Sequence, residues 1–416
     1  MTDIGAALAA RIDTAFPPGR FARLGVAVSG GGDSMALMHL LADWAGRGGP
    51  QVAVVSLDHG LRPEAAAEVA MVARAARALG LAHSTLVWGG WDGQGNLMQE
   101  ARRARYRLIG DWARQAGLDA VALGHTADDQ SETFFMRLAR GAGVDGLSGM
   151  APEREAGGML WLRPLLGATR ADLRAYLRAR NVVWVDDPTN EDAAYERIRA
   201  RAAMASLAPL GITAAGVAEV TAHLREVRSA LTVQTHAAAQ ALARLQAGDV
   251  VIDRAGLAAL PAEIRRRLLA HCLRWIASAE HGPRGPALAA FSETVLAGET
   301  ATLHGCLALT EGAALRLCRE VSAVGAPVAP GALWDGRWLL RGPRMAEAEV
   351  RALGDAGQRT CLNWRATGRP RAALRADPAV WRDDELIAAP LAGMGNGWHA
   401  ELVRGGDDFL TSLFVH

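Results

Sequence analysis

The chain contains no lysine; all 45 of its basic residues are arginine. That absence rules out a Schiff-base lysine and a Walker A phosphate loop, whose lysine reaches the nucleotide phosphates. A genome that writes Arg, Ala and Gly freely accounts for the bias without any functional reason. Cysteine is scarce and late: Cys272, Cys306, Cys318 and Cys361 all lie in the second half, and no two form a C-x-x-C pair. This argues against a zinc knuckle or a redox dithiol. Net charge is only +1, so bulk charge carries no mark of a nucleic-acid partner. No apolar run is long enough to span a bilayer, and the opening residues lack the basic-then-apolar pattern of a secretory leader. The expectation is a cytoplasmic chain with no membrane partner and reduced cysteines. Monomer and homodimer both stay open.

What is present is ample material for two or three packed domains: 416 residues, 50% of them hydrophobic. The first half alternates strand and helix patterns. Strands are predicted at Leu24–Val28, Val52–Leu57, Ser84–Trp88 and Ala120–Leu123, with helices after Ser34, over Glu64–Leu79, over Leu97–Ala116 and over Ala127–Arg140. Repeated βα units predict an α/β fold, a parallel sheet with helices on both faces. From about Ala214 the composition becomes Ala-rich and helical, with a small hairpin over Thr302–Arg319. The segment from about Ala326 is rich in Gly, Pro, Arg and Trp, and its pattern suggests no fold. The expected domains are 1–214, a catalytic α/β domain; 215–325, mainly helical; and 326–416, a small C-terminal region.

The polar motifs fall where strands end, which is where ligands bind in such sheets. Ser29-Gly30-Gly31-Gly32-Asp33-Ser34 follows the first strand and opens a helix. Glycines let the backbone approach phosphates, and the helix N-terminus offers N–H groups to anionic oxygens. The bland alternative is a Gly-rich turn with Ser34 as a helix cap. Asp58-His59-Gly60-Leu61-Arg62 ends the second strand. Glu100 to Tyr106 carries Arg103, Arg105 and Tyr106 on the long helix. Gly124-His125-Thr126-Ala127-Asp128-Asp129-Gln130-Ser131-Glu132-Thr133 follows the fourth strand. Arg163-Pro164-Leu165-Leu166, Asp186-Asp187-Pro188-Thr189-Asn190 and the cluster Arg197, Arg199, Arg201 close the series.

The S-G-G-x-D-S loop resembles the pyrophosphate-binding loop of the N-type (PP-loop) ATP pyrophosphatases, whose fold is adenine nucleotide alpha-hydrolase-like. The D-H-G-L-R and G-H-x-x-D-D-Q-x-E-T elements are similar to those of the tRNA(Ile)-lysidine synthases, as is an E-x-x-R-x-x-R-Y helix with its spacing relaxed by one residue. The resemblance is dense over the first half and thin beyond it. It implies an enzyme that uses ATP and magnesium to adenylate the wobble cytidine of tRNA(Ile) with a CAU anticodon. Free L-lysine then attacks carbon 2, with release of AMP and pyrophosphate. The C-terminal parts would read the tRNA. The resemblance assigns Ser29, Gly30, Gly31, Gly32, Asp33, Ser34, Asp58, His59, Arg62, Arg103 and His125 to nucleotide binding. It assigns Asp33 to the metal, and Asp33, Arg105, Asp129 and Glu132 to catalysis. A tRNA thiolase of the same superfamily and a non-catalytic RNA-binding relative are the alternatives.

Charge gives these residues a chemistry of their own. Asp128, Asp129 and Glu132 lie within one turn, and three carboxylates so close are costly without a cation. Magnesium carried by ATP and the ammonium groups of lysine are both suitable. Solvated first-turn acids on a helix dipole are the plain alternative. Arg103, Arg105, Arg197 and Arg201 are either phosphate partners or solvated helix residues. The same choice applies to Arg225, Arg228 and the run Arg265 to Arg267 as RNA contacts.

Overall fold

Alternation of apolar residues along four short strands builds the centre of the first half. In Ala120–Leu123, Ala120 and Ala122 face one apolar cluster while Val121 and Leu123 face another. A strand buried on both faces belongs inside a helix-covered parallel sheet. The computed structural model describes residues 4–60, 64–91, 96–185, 196–403 and 405–414. They form two compact units, 1–228 and 229–416.

The first unit holds a six-stranded sheet. Its strands are β1 (Arg23–Ala27), β2 (Gln51–Asp58), β3 (Ala82–Val87), β4 (Ala120–Leu123), β5 (Glu153–Ala156) and β6 (Met159–Leu162). Their order is β3-β2-β1-β4-β6-β5. All neighbours are parallel except the β5–β6 hairpin, whose turn is Gly157-Gly158 with both residues at positive φ, the backbone a two-residue primed turn requires. The helices are α1 (Ile4–Ala15), α2 (Gly32–Gly46), α3 (Ala65–Ala78), α4 (Leu97–Gln115), α5 (Ala127–Leu138), α6 (Val144–Leu147), α7 (Arg170–Ala179), α8 (Glu196–Leu207) and α9 (Ala214–Leu242). On one face Leu8, Ile12, Leu37, Leu41, Val72, Leu173 and Leu177 pack on Leu24 and Val26. On the other, Ile109 and Ala113 of α4 pack on Val121, Leu123 and Trp161. The expected α/β class with helices on both faces is what the chain adopts.

Strand order reverses between β1 and β4. The chain leaves β1 toward β2 and later returns to β4 on the other side, so the loops after these two strands diverge around a crevice. A side chain at Gly124 would stand 3.0 Å from the Ser34 backbone, so only glycine lets the end of β4 approach the first turn of α2 this closely.

The second unit begins within α9. A five-stranded antiparallel sheet (residues 243–319) is covered by helices Ala262–Ile276 and Gly285–Leu296. The predicted hairpin is there, as Cys306–Glu311 paired with Ala314–Arg319. Beyond it lie a three-stranded sheet and a two-stranded one. The fold of residues 326–416, which the sequence pattern does not reveal, is built on tryptophan: Trp334, Trp338 and Trp398 are buried together with Leu340, Val350 and Val380. No single helix among the described residues is long and apolar enough to cross a membrane.

Candidate active site

The loop after β1 is shaped by its own backbone. Gly30 sits at φ +92°, and Gly31 is the N-cap of α2 with no side-chain cap. The first turn of α2 therefore has no side-chain cap hydrogen bond at its N-cap, which leaves its N–H groups as donors for anionic oxygens. Ser34 does not cap the helix: its hydroxyl donates to the Gly31 carbonyl at 2.9 Å and accepts from the Ser29 N–H at 3.2 Å, closing the loop on itself. A strap from a distant segment holds the loop from outside. The Val185 N–H donates to the Gly30 carbonyl at 3.0 Å, and the Trp184 ring lies against Gly32.

Across the crevice, Thr126 and Asp129 form a reciprocal capping box at the start of α5. Asp129 Oδ2 accepts from the Thr126 N–H at 2.8 Å, which turns Oδ1 outward. Glu132, one turn on, is 1% exposed. Acidic side chains this close call for a cation, and the fold brings two of its own. Arg170, the first residue of α7, donates Nη2 to Asp129 Oδ1 at 2.7 Å, Nη1 to Glu132 Oε1 at 2.9 Å and Nε to Asp33 Oδ2 at 3.2 Å. Its backbone N–H donates to Asp128 Oδ2 at 2.8 Å. Arg201 of α8 donates Nε to the same Glu132 Oε1 at 2.6 Å. Glu132 Oε2 is buried with no hydrogen-bond partner among the described residues. Three carboxylates thus meet two guanidinium groups, and Asp128 adds a fourth carboxylate on the Arg170 backbone N–H, a formal excess of negative charge among these six residues. Burial pushes the Asp33 carboxyl up to about 6, against the pull of Arg170. Burial holds the His125 imidazole down to about 4, so it is neutral at neutral pH.

An uncapped helix N-terminus facing a partly neutralised acidic pocket, at the switch point of a parallel sheet, is suited to bind a polyphosphate beside an ammonium group. A PP-loop domain model matches residues 6–207. A tRNA(Ile)-lysidine synthase from Ruegeria pomeroyi is 53% identical over 95% of this chain and 94% of its own length. One from Bradyrhizobium sp. is 42% identical over 73% of this chain and 86% of its own. One from the Wolbachia of Brugia malayi is 33% identical, over 76% of each. The chain belongs to the tRNA(Ile)-lysidine synthase family. Its PP-loop domain is an ATP-using one.

Against that family background, the fold brings Asp33, Asp129 and Glu132 onto one guanidinium, with His125 at the adjoining end of β4. The other predicted residues distribute differently. Asp58 turns back on its own loop, accepting the Gly60 N–H at 2.8 Å. His59 Nε2 and Arg105 Nη2 lie 3.3 Å apart. Arg103 is exposed and pairs with Glu100 at 2.7 Å along the outer face of α4. Arg197 is exposed, whereas Arg201 turns inward. Arg62 and the Asp186–Asn190 motif lie outside the described residues.

Sequence reasoning missed Arg170. Its signal was Thr169-x-x-Asp172, a helix-start pattern that the structure shows as a second capping box. Arginine at the first helical position opposes the helix dipole. Such a local conflict marks a residue placed for another reason.

Proposed function

We propose that this chain forms lysidine on the wobble cytidine of tRNA(Ile) with a CAU anticodon, in two steps at the β1–β4 crevice. The base leaves its stack to enter the crevice. Its ring carbonyl oxygen attacks the α-phosphate of ATP, the O–P bond forms, and pyrophosphate leaves toward the N–H groups of Gly32, Asp33 and Ser34. The neutral amine of free lysine then attacks carbon 2. AMP leaves with the carbonyl oxygen, and a nearby carboxylate takes the amine proton. Asp129 and Glu132 hold the lysine ammonium. The observation that carries this reading is Glu132 Oε2, a buried acceptor without a partner among the described residues, in a pocket whose carboxylates outnumber the two arginines they meet.

Magnesium fits the residues present in one way. Among the described residues no three ligating side chains converge in a geometry that could hold a metal ion, which suits an ion held by phosphate oxygens and a single carboxylate rather than by a protein cage. Asp33, beside the loop and with its carboxyl pushed up by burial, would be that carboxylate, and the ion would offset phosphate charge. The tRNA substrate places the reaction in the cytoplasm. Sulfur transfer finds no support: all four cysteines are buried and lie in the second unit.

Glu132→Gln tests the reading. Breaking a buried, hydrogen-bonded charge pair costs about 3–5 kcal/mol, and about 1.4 kcal/mol is tenfold in affinity. The lysine KM should therefore rise by roughly a hundredfold or more, while tRNA-dependent ATP–pyrophosphate exchange continues. If the lysine KM is unchanged and exchange stops, Glu132 serves ATP instead.

A further inference from the structure

Two halves of the site come from separate loops, and one side chain joins them. Asp33 stands on the ATP side, in the loop after β1; Asp129 and Glu132 stand on the amine side, on α5 after β4. The Arg170 guanidinium touches all three, at 3.2, 2.7 and 2.9 Å. A planar fork of donors can serve three carboxylates at fixed angles, which a point charge cannot.

The simpler account is an ion pair that staples α7 to α5. That docking is already secured without the guanidinium. The Ala127 N–H donates to the Ala168 carbonyl at 2.8 Å, and the Arg170 backbone N–H donates to Asp128. The capping box of Thr169 and Asp172 closes the start of α7, and Leu173 and Leu177 are fully buried in the core. The charged head also sits at the positive end of its own helix, where a cation is disfavoured. Its placement is explained by the carboxylates it arranges.

Resting on the lysidine-forming reading above, we propose that Arg170 is a positioning residue that sets the register between the ATP half and the amine half of the site. It occupies Glu132 Oε1 together with Arg201 and so leaves Oε2, a buried oxygen with no hydrogen-bond partner among the described residues, as the carboxylate's remaining acceptor for the lysine ammonium. It acts through the three carboxylates and contacts neither substrate.

The test uses the full chain with Arg170→Ala and Arg170→Lys. Three quantities are read: lysine KM and kcat in lysidine formation, tRNA-dependent ATP–pyrophosphate exchange without lysine, and tRNA affinity. In Arg170→Ala the lysine KM should rise roughly 10- to 100-fold, scaled down from a fully buried pair because the side chain is partly exposed. Exchange should slow, and tRNA affinity should stay within about twofold. Arg170→Lys should fall between, keeping the charge but not the fork. Millimolar guanidinium, but not sodium at equal ionic strength, should lower the lysine KM of the Ala variant. Unchanged lysine KM and exchange in Arg170→Ala overturn the proposal. So does a loss of thermal stability with kcat alone reduced and no restoration by guanidinium or by lysine at this position. If the Ala variant does not fold, the Lys variant decides, since an unchanged lysine KM there overturns the proposal and a raised one supports it. Failure of the wild-type chain to make lysidine at all would sink the underlying reading instead, and is read separately.

Discussion

Asp33 carries two pressures that a sequence does not display. Its carboxylate stands in the first turn of α2, half-buried, and burial raises its pKa to about 6 while Arg170 lowers it. At neutral pH it is mostly ionised at a cost, which a cation held there with ATP would offset. Asp33→Ala should therefore abolish ATP–pyrophosphate exchange and leave tRNA affinity within about twofold. Exchange at near wild-type rate would remove Asp33 from the phosphate site. The acidic members of the pocket were legible in the sequence because they stand in contiguous motifs at strand ends, where position alone implies a ligand. Arg170 was not, because it lies 137 residues from Asp33 and 38 from Glu132, and only the fold makes them neighbours. Arg103 and Arg105 show the opposite limit. They are two positions apart on α4 and both exposed, yet Arg103 pairs along its own helix with Glu100 while Arg105 reaches His59 after β2, a difference set by helix rotation against the sheet.

At the scale of elements, the strands and helices with sustained periodicity came through within about three residues. Short or polar ones did not. The β5–β6 hairpin has four-residue strands, and Glu153, Arg154 and Glu155 of β5 are exposed, so no apolar alternation marks it. The tryptophans beyond Ala326 are core residues, a role that composition alone does not separate from a binding surface. The basic run on helix Ala262–Ile276 is engaged internally: Arg266 and Arg267 donate to Glu263, and Arg265 donates to the Ala258 and Leu260 carbonyls. The same helix anchors the C-terminal helix Gly406–Thr411 through His271, whose Nε2–H donates to the Phe409 carbonyl at 2.7 Å. Burial holds this imidazole down to about 4, below the roughly 6.5 of an unfolded histidine. Between those values the unfolded chain takes up a proton that the folded one refuses. His271 thus contributes stability above about pH 6.5 that is lost as pH falls toward about 4. The melting temperature should drop more steeply between pH 7 and pH 5 for wild type than for His271→Asn, in which this group no longer titrates. Parallel curves would mean that His271 is not held neutral.

At the scale of the whole molecule, a net charge of +1 conceals how local the electrostatics are. An anionic pocket and an uncapped helix N-terminus share one crevice, and the chain's neutrality says nothing of either. The class of fold was legible from βα alternation, and the family from motif order. Strand order was not, because it depends on crossovers between segments whose patterns look alike, and it is the reversal between β1 and β4 that turns two separate motifs into one site. The central claim is that this site joins lysine to a cytidine through an adenylate. It is tested most directly by incubating the full chain with ATP, magnesium, isotope-labelled lysine and tRNA(Ile) bearing a CAU anticodon, then analysing the digested anticodon nucleosides by mass spectrometry. The account predicts a wobble cytidine heavier by one labelled lysine less one water, with AMP and pyrophosphate released in equal amounts. An unmodified cytidine, or one carrying sulfur, would contradict it.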